Sequence, residues 1–398
     1  MEANNIQPRF KDSAHFTHFW GKGNGKRLIE WTGAKVNFEK FDDYAPLFYQ
    51  VDEVGDAVVR DLFLEKPFHE AMGTIEKYIR NGIPDSDNVP DSVQQLFSEC
   101  QTVPNWVDQD LLKRGAEVCM KSGVDGLISL RDYSLMGGYD FAYLSNPLVF
   151  TNALQKGAIK RLKGTLEFWV EATRYDAMKV HAKGYEMAIK TRLIHSYARH
   201  KIVQNVPSWN TKEWGKPINL WDMTATSSGF SLVFLHGLHL LNHSITKDDE
   251  LSVMHLWKYI GYLLGIPPQF LPNTLKEAVE QFYCWTSIQA PADKDSVRLA
   301  YSLLNETIEN SILKYQFQRK FLRKLHNACC IHFLDTEVAK RLALNSKNGA
   351  RWFPKSLRIK NKMQCFLVRH RIIKEKRQIA KGNRVHQKVL KDYRGINY

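Results

Sequence analysis

Acidic residues almost disappear near the end of this chain: from Arg351 to Tyr398 there are 15 Lys and Arg but only Glu375 and Asp392. That segment carries nearly all of the net charge of +14, and the remainder is close to neutral. A basic end argues less for nucleic acid than a uniformly basic surface would, so nucleic-acid binding is not expected. Long apolar runs are missing too. The most apolar stretches, Phe230 to Leu241 and Tyr259 to Ile266, fall short of the ~20 residues that cross a bilayer, which predicts no membrane-spanning helix. Met1 to Phe19 has no apolar core of the kind a secretory leader needs. The expected location is intracellular, either cytoplasmic or peripheral on a membrane.

Other absences remove whole classes of chemistry. The 6 cysteines include no C-x-x-C, which argues against a zinc knuckle or a disulfide framework, and no C-x-x-C-H for covalent haem attachment. Free thiols in a reducing compartment are expected. No Gly-x-Ser-x-Gly elbow and no Glu-x-x-His occurs, so neither a serine hydrolase nor a di-iron carboxylate bundle is indicated. Gly21-Lys-Gly-Asn-Gly-Lys-Arg has the glycines of a phosphate loop but not its spacing, and reads as a flexible loop.

What is present is a chain that is 44% hydrophobic and 12% aromatic, enough for a large buried core. Apolar residues recur at helical spacing from Asp52 to Ile79, and again over Val107–Lys121, Ala158–Ala182, Tyr185–Val203, Thr224–Asn242 and Asp248–Leu264. Glycine and proline punctuate these runs at Gly82, Gly184, Pro207 and Pro267. Period-two alternation is scarce. The expected fold is all-α, with residues 1–50 irregular, 51–350 a helical catalytic domain and 351–398 a basic tail.

The informative stretches are Arg161-Leu-Lys-Gly-Thr165 and Thr191-Arg-Leu-Ile-His195-Ser-Tyr-Ala-Arg199. On helices, Arg161 and Thr165 are one turn apart, and Arg192, His195 and Arg199 share a face. The stripe centred on His195 also holds Ala188, Thr191, Ala198 and Ile202. Small residues let a flat cofactor approach, an imidazole can bind its iron, and arginines can pair with its propionates while disfavouring imidazole protonation. An ion-paired helix face would read the same way, and spacing alone leaves both open.

These segments resemble the latex-clearing (rubber oxygenase) and mpaB-type oxygenases. In that family an Arg and a Thr four residues apart precede an Arg-Leu-x-His helix followed by another Arg. The resemblance extends to Gly55-Asp-Ala-Val-Val, Gly215-Lys-Pro-Ile-Asn, Asp222-Met-Thr-Ala-Thr-Ser-Ser-Gly-Phe and Trp257-Lys-Tyr-Ile-Gly-Tyr-Leu-Leu-Gly-Ile266. It implies a globin-like helical core with additional N-terminal and C-terminal helices, haem b, dioxygen as co-substrate, and cleavage of a C=C bond in an isoprenoid or other unsaturated lipid. His195 would be the axial iron ligand, Arg161 and Thr165 catalytic residues near the haem, as distal polar groups or structural anchors, and Arg192 and Arg199 cofactor-binding residues that fix the helix or pair with propionates. A haem protein without oxygenase activity, or a helical binding protein that has lost the cofactor, remains an alternative. Two departures stand out. The rubber-cleaving members carry a lysine directly before the Thr, where this chain has Gly164, with Lys163 one step earlier. Their upstream glutamate corresponds to Ser145, with Asp140 the nearest acid.

Two further features carry other expectations. His236, His239 and His243 lie at helical spacing and could bind a metal, although a packing role fits their apolar neighbours better. Cys329, Cys330 and His332 lack ligand spacing and read as buried helix. From Met363 to Lys376 apolar and basic residues alternate as in an amphipathic helix, which could touch an anionic membrane, bind nucleic acid, or be a solvated tail packed partly on the body.

Overall fold

A computed structural model describes residues 14–84, 88–151, 158–310, 312–347 and 349–396. Among them there is no β-strand, only an isolated antiparallel bridge between Phe141 and Pro291. The all-α class expected from the apolar spacing is the one observed.

The start of the chain differs from its expectation. Helices α1 (Ala14–Gly21) and α2 (Asn24–Thr32) occupy a stretch expected to be irregular. Phe16, Phe19, Trp20 and Leu28 are buried, so short aromatic helices dock where a longer periodic window would see nothing. The crowded glycines serve close packing. A Cβ on Gly25 would strike the Trp20 ring, and one on Gly23 would strike the Asp335 carboxylate. The first 13 residues lie outside the described residues.

Asp52 caps α3 (Glu53–Val58), accepting from the Gly55 amide at 3.1 Å. A π-helical stretch, Val59–Phe63, leads towards α4 (Phe68–Asn81) and α5 (Asp91–Gln101). Asp108 caps α6 (Gln109–Ile128), accepting from the Asp110 amide at 2.8 Å and the Leu111 amide at 3.1 Å. A second π-helical stretch, Ser129–Leu135, follows, and then α7 (Ala142–Phe150) with Pro147 inside it.

The central pair is α8 (Ala158–Ala172) and α9 (Lys183–Asn205), packed against each other. The first stops earlier than the apolar spacing suggests. Its turn holds Asp176 and His181 at positive φ, a conformation that no helix can continue through. The helix expected over Thr224–Asn242 is likewise divided, into α10 (Leu220–Ser228), a π-helical stretch Gly229–Val233 and α11 (Phe234–Leu240). Then come α12 (Lys247–Leu263), α13 (Leu275–Thr286), α14 (Lys294–Glu309), α15 (Gln316–Phe333) and α16 (Thr336–Arg341). Trp169, Trp221, Trp257 and Trp285 are fully buried at the heart of this assembly.

The basic end is folded as α17 (Trp352–Arg369) and α18 (Glu375–Arg394). Helix α18 lies along α6, burying Ile379, His386 and Leu390. His386 donates through Nε2 to the Gly123 carbonyl at 2.8 Å. At its start, Glu375 accepts from Lys121 at 2.8 Å and Arg114 at 3.1 Å. Burial opposes ionisation there, yet these hydrogen bonds hold the Glu375 carboxyl down at about 2. The final helix is therefore packed on the body along one face, while Lys381, Arg384 and Lys388 are exposed on the other.

Candidate active site

A cavity of about 1150 Å³ is walled mostly by apolar side chains, among them Leu130, Leu144, Leu166, Met187 and Phe230. Helix α9 contributes Thr191, Ile194, His195 and Ala198 to its wall, and α8 contributes Arg161, Gly164 and Thr165. The sequence-predicted residues His195, Arg161 and Thr165 thus face one space. An added Cβ at Gly164 would meet nothing within 4 Å, so that part of the wall is open.

Burial pushes the His195 imidazole down to about 4, and the Arg199 guanidinium one turn away adds to the effect against Asp52. The ring is therefore neutral at physiological pH, the form that binds a metal ion. Among the described residues its Nδ1 has no hydrogen-bond partner. Arg161 donates through Nη2 to the Tyr139 hydroxyl, and its guanidinium lies 5.3 Å from that ring's centroid. No carboxylate among the described residues pairs with it, and burial lowers it to about 10. It is a cation held against an apolar space without a counter-ion.

Arg192 and Arg199 are not among the residues of this wall, and of their two expected roles the contacts they make fit the fixing of the helix. Arg192 forks onto Asp52 at 2.7 and 2.8 Å and reaches Glu99 at 3.2 Å. Arg199 pairs with Asp56 and donates to the Pro217 and Ile218 carbonyls at 3.1 and 3.0 Å. Both guanidinium groups are spent tying α9 to α3 and to the loop before α10, and Ala188 and Ile202 are packed in the core. The wall-forming face of α9 is a neighbouring one, running through Met187, Thr191, His195 and Ala198.

The acids also separate. Ser145 and Asp140 both reach the wall, but Asp140 is held by Arg341 at 2.7 Å through both oxygens and by His15 at 3.2 Å. Asp222, to which sequence reasoning assigns no role, lines the cavity as well. It accepts from Trp285 Nε1 at 2.9 Å and Asn219 Nδ2 at 2.7 Å, and burial nevertheless pushes it up to about 6. Its place in the Asp222-Met-Thr string is plain in the sequence, but the indole that reaches it from α13 is not. Lys163 is absent from the wall, and its Nζ lies 3.5 Å from the Arg394 carbonyl.

The other candidate sites do not assemble. His236 shares a 2.8 Å hydrogen bond with the Tyr133 hydroxyl, both His236 and His239 stack on Trp31, and His243 meets Asp125 at 2.9 Å. Among the described residues no three His, Cys, Asp or Glu side chains converge as a metal site. Cys329 and Cys330 are buried, and burial raises both thiols well above their ordinary value.

The donor set of the cavity would suit a flat, mostly apolar cofactor whose metal one imidazole could hold. A neutral histidine lies between Thr191 and Ala198, and Arg161 offers an unpaired cation. Comparison with known proteins agrees with the architecture. The solved structure of latex clearing protein in its closed state matches with a TM-score of 0.69 at 18% identity, covering 89% of this chain and 93% of that one. The rubber oxygenase of Streptomyces sp. (strain K30) is 21% identical over 238 residues, 58% of this chain, and the chain spans only 57% of that relative's length. Residues 126–359 match the model for the catalytic domain of the ER-bound oxygenase mpaB/B' and rubber oxygenase family, and the chain belongs to that family.

Proposed function

We propose that this protein is a haem-b-dependent oxygenase that cleaves a C=C bond of an isoprenoid or other unsaturated lipid. The observation that carries the reading is a neutral imidazole, His195, facing a large apolar cavity beside an uncompensated cation. When bound there, haem b supplies dioxygen activation. His195 would hold its iron, the burial that keeps the ring unprotonated also leaving a lone pair for the metal. Arg161 would meet an anionic group or the charge that develops on oxygen, because a half-buried guanidinium paired with no carboxylate among the described residues is a ready counter-charge. Thr165 supplies a hydroxyl on the same wall. The apolar side chains exclude water and hold a hydrocarbon, and Asp222 keeps a proton more readily than an exposed carboxyl group.

Gly164 and Ser145 stand where rubber-cleaving relatives carry a lysine and a glutamate, so a substrate other than rubber is favoured. The test is expression with ample haem supply, a pyridine haemochrome assay, and oxygen uptake with a short polyprenoid. Stoichiometric haem that His195→Ala loses is the expected outcome. A colourless protein, or a Soret band unchanged in that variant, would reject the assignment. Haem without oxygen uptake would leave a carrier or sensor.

A further inference from the structure

Large apolar side chains are exposed unevenly on this protein. Trp352, Ile359, Met363 and Phe366 stand out on α17 with exposures of 54%, 71%, 59% and 56%. Their spacing follows one helical face, and Lys355 and Lys362, both exposed, alternate with them on it. The opposite face, including Leu357 and Asn361, is buried against the body. Helix α15, which packs against α17, repeats the pattern with Phe317 at 69% and Phe321 at 50% exposure around the exposed Lys320. No Asp or Glu occurs from Asn310 to Leu334 or from Arg351 to Lys374.

From this we infer that the outer faces of α15 and α17 form a docking surface for an anionic phospholipid bilayer. Aromatic and aliphatic side chains flanked by lysines, with no acid between, match an interface that is apolar below and negatively charged at its headgroups. A nucleic acid offers the charge but nothing for Ile359, Met363 and Phe366 to enter, and an acidic protein patch would leave the same groups in water. The inner side of the α14–α15 hairpin gives the surface a purpose. Asn310, Ile312, Leu313 and Leu322 line the cavity, while Phe317 and Phe321 point outward from the same hairpin. A lipophilic molecule leaving the bilayer there would pass from one apolar surface to another. The surface does not depend on the cofactor.

The full chain should co-sediment with vesicles of 70% phosphatidylcholine and 30% phosphatidylserine, but not with phosphatidylcholine alone. The double substitution Lys355→Ala, Lys362→Ala should weaken partitioning about 25-fold, taking roughly fivefold per lysine at the surface. Ile359→Ser with Phe366→Ser, and separately Phe317→Ser with Phe321→Ser, should each lower it at least about tenfold, given ~0.8 kcal/mol per buried methylene. Melting temperature checks that the variants stay folded, since these side chains already face solvent. Equal partitioning of all variants, absence of binding to anionic vesicles, or tighter binding to duplex DNA than to vesicles would overturn the inference. Haem content, measured on the same samples, keeps this result separate from the oxygenase assignment.

Discussion

Arg192 and Asp52 form a two-pronged ion pair, at 2.7 and 2.8 Å, that is almost entirely buried between α9 and α3. The same carboxylate caps α3 through the Gly55 amide, so a single side chain fixes both the helix start and its docking on the helix of His195. Removing one partner strands a buried charge. Asp52→Ala should cost about 3–5 kcal/mol of stability, read by urea denaturation, and the haem affinity of His195 should weaken with it. A loss below ~1 kcal/mol would mean that the pair is a minor contributor.

Arg161 presents the opposite case, a cation in the cavity wall that pairs with no carboxylate among the described residues. Arg161→Met should leave the cofactor-free protein as stable or more stable by roughly 1–2 kcal/mol, while weakening retention of haem or slowing oxygen uptake. Thermal melting and haem titration of the same variant test the two halves. Lower stability in the cofactor-free state would show that the bond to Tyr139 outweighs the burial of charge.

At Gly164 the helix is open to the cavity, and an added Cβ meets nothing within 4 Å. Gly164→Ala should stabilise α8 by about 0.5–1 kcal/mol through reduced backbone freedom. Gly164→Lys should be tolerated equally well and, in the haem-loaded protein, should slow binding of an exogenous ligand such as imidazole, followed by the Soret shift. An unchanged ligand-binding rate would place that lysine outside the path to the iron.

The buried imidazoles set an acid limit. Burial pushes His236 and His386 down to about 3, with His239 adding to the effect at His236 and Arg174 at His386. The unfolded chain takes up protons near pH 6.5, where the folded chain does not, so stability is lost as pH falls from about 6.5 towards 3. Each histidine should contribute a slope of about 1.4 kcal/mol per pH unit within that window. His386→Gln should flatten the dependence measured by denaturant unfolding between pH 7 and 5.

At Gly382 helix α18 approaches the α6 backbone with no side chain between them. A Cβ on Gly382 would fall on the Met120 carbonyl, and one on Gly123 would come 3.5 Å from the Gly382 Cα. Gly382→Ala should cost about 1–3 kcal/mol and partly release the last helix, seen as faster hydrogen exchange over residues 375–394. Unchanged exchange would mean that α6 can move aside.

The helices with long apolar periods are legible in the sequence itself, and so is the shared face of Arg161 and Thr165, because helical phase alone puts them one turn apart. That His195, on another helix, belongs with them is implied by the family resemblance. Phase does not reveal what lies across from that face. Arg192 and Arg199 carry the right charge for propionates, yet Asp52 and Asp56, some 140 residues earlier (140 for Arg192–Asp52 and 143 for Arg199–Asp56), claim them. Asp222 escapes notice for the same reason, since its partner Trp285 comes from another helix. The α1–α2 region misleads in a different way: glycine is both the residue of loops and the residue of tight contact, and Gly23 and Gly25 belong to the second kind.

The π-helical stretches Ser129–Leu135 and Gly229–Val233 touch each other and place Leu130, Tyr133, Phe230 and Val233 in the cavity wall. Each holds one more residue than an ordinary turn would, which makes chain length itself a determinant of the wall. Excising a single amino acid from either stretch would let it close to an ordinary α-helical turn, removing the bulge that sets its side chains in the wall while the later part of the helix keeps its phase. Tyr133, inside the first stretch, would then be displaced from its hydrogen bond with His236. Relatives of this protein can lengthen or shorten their surface turns freely, but through these two segments their residue count should be locked.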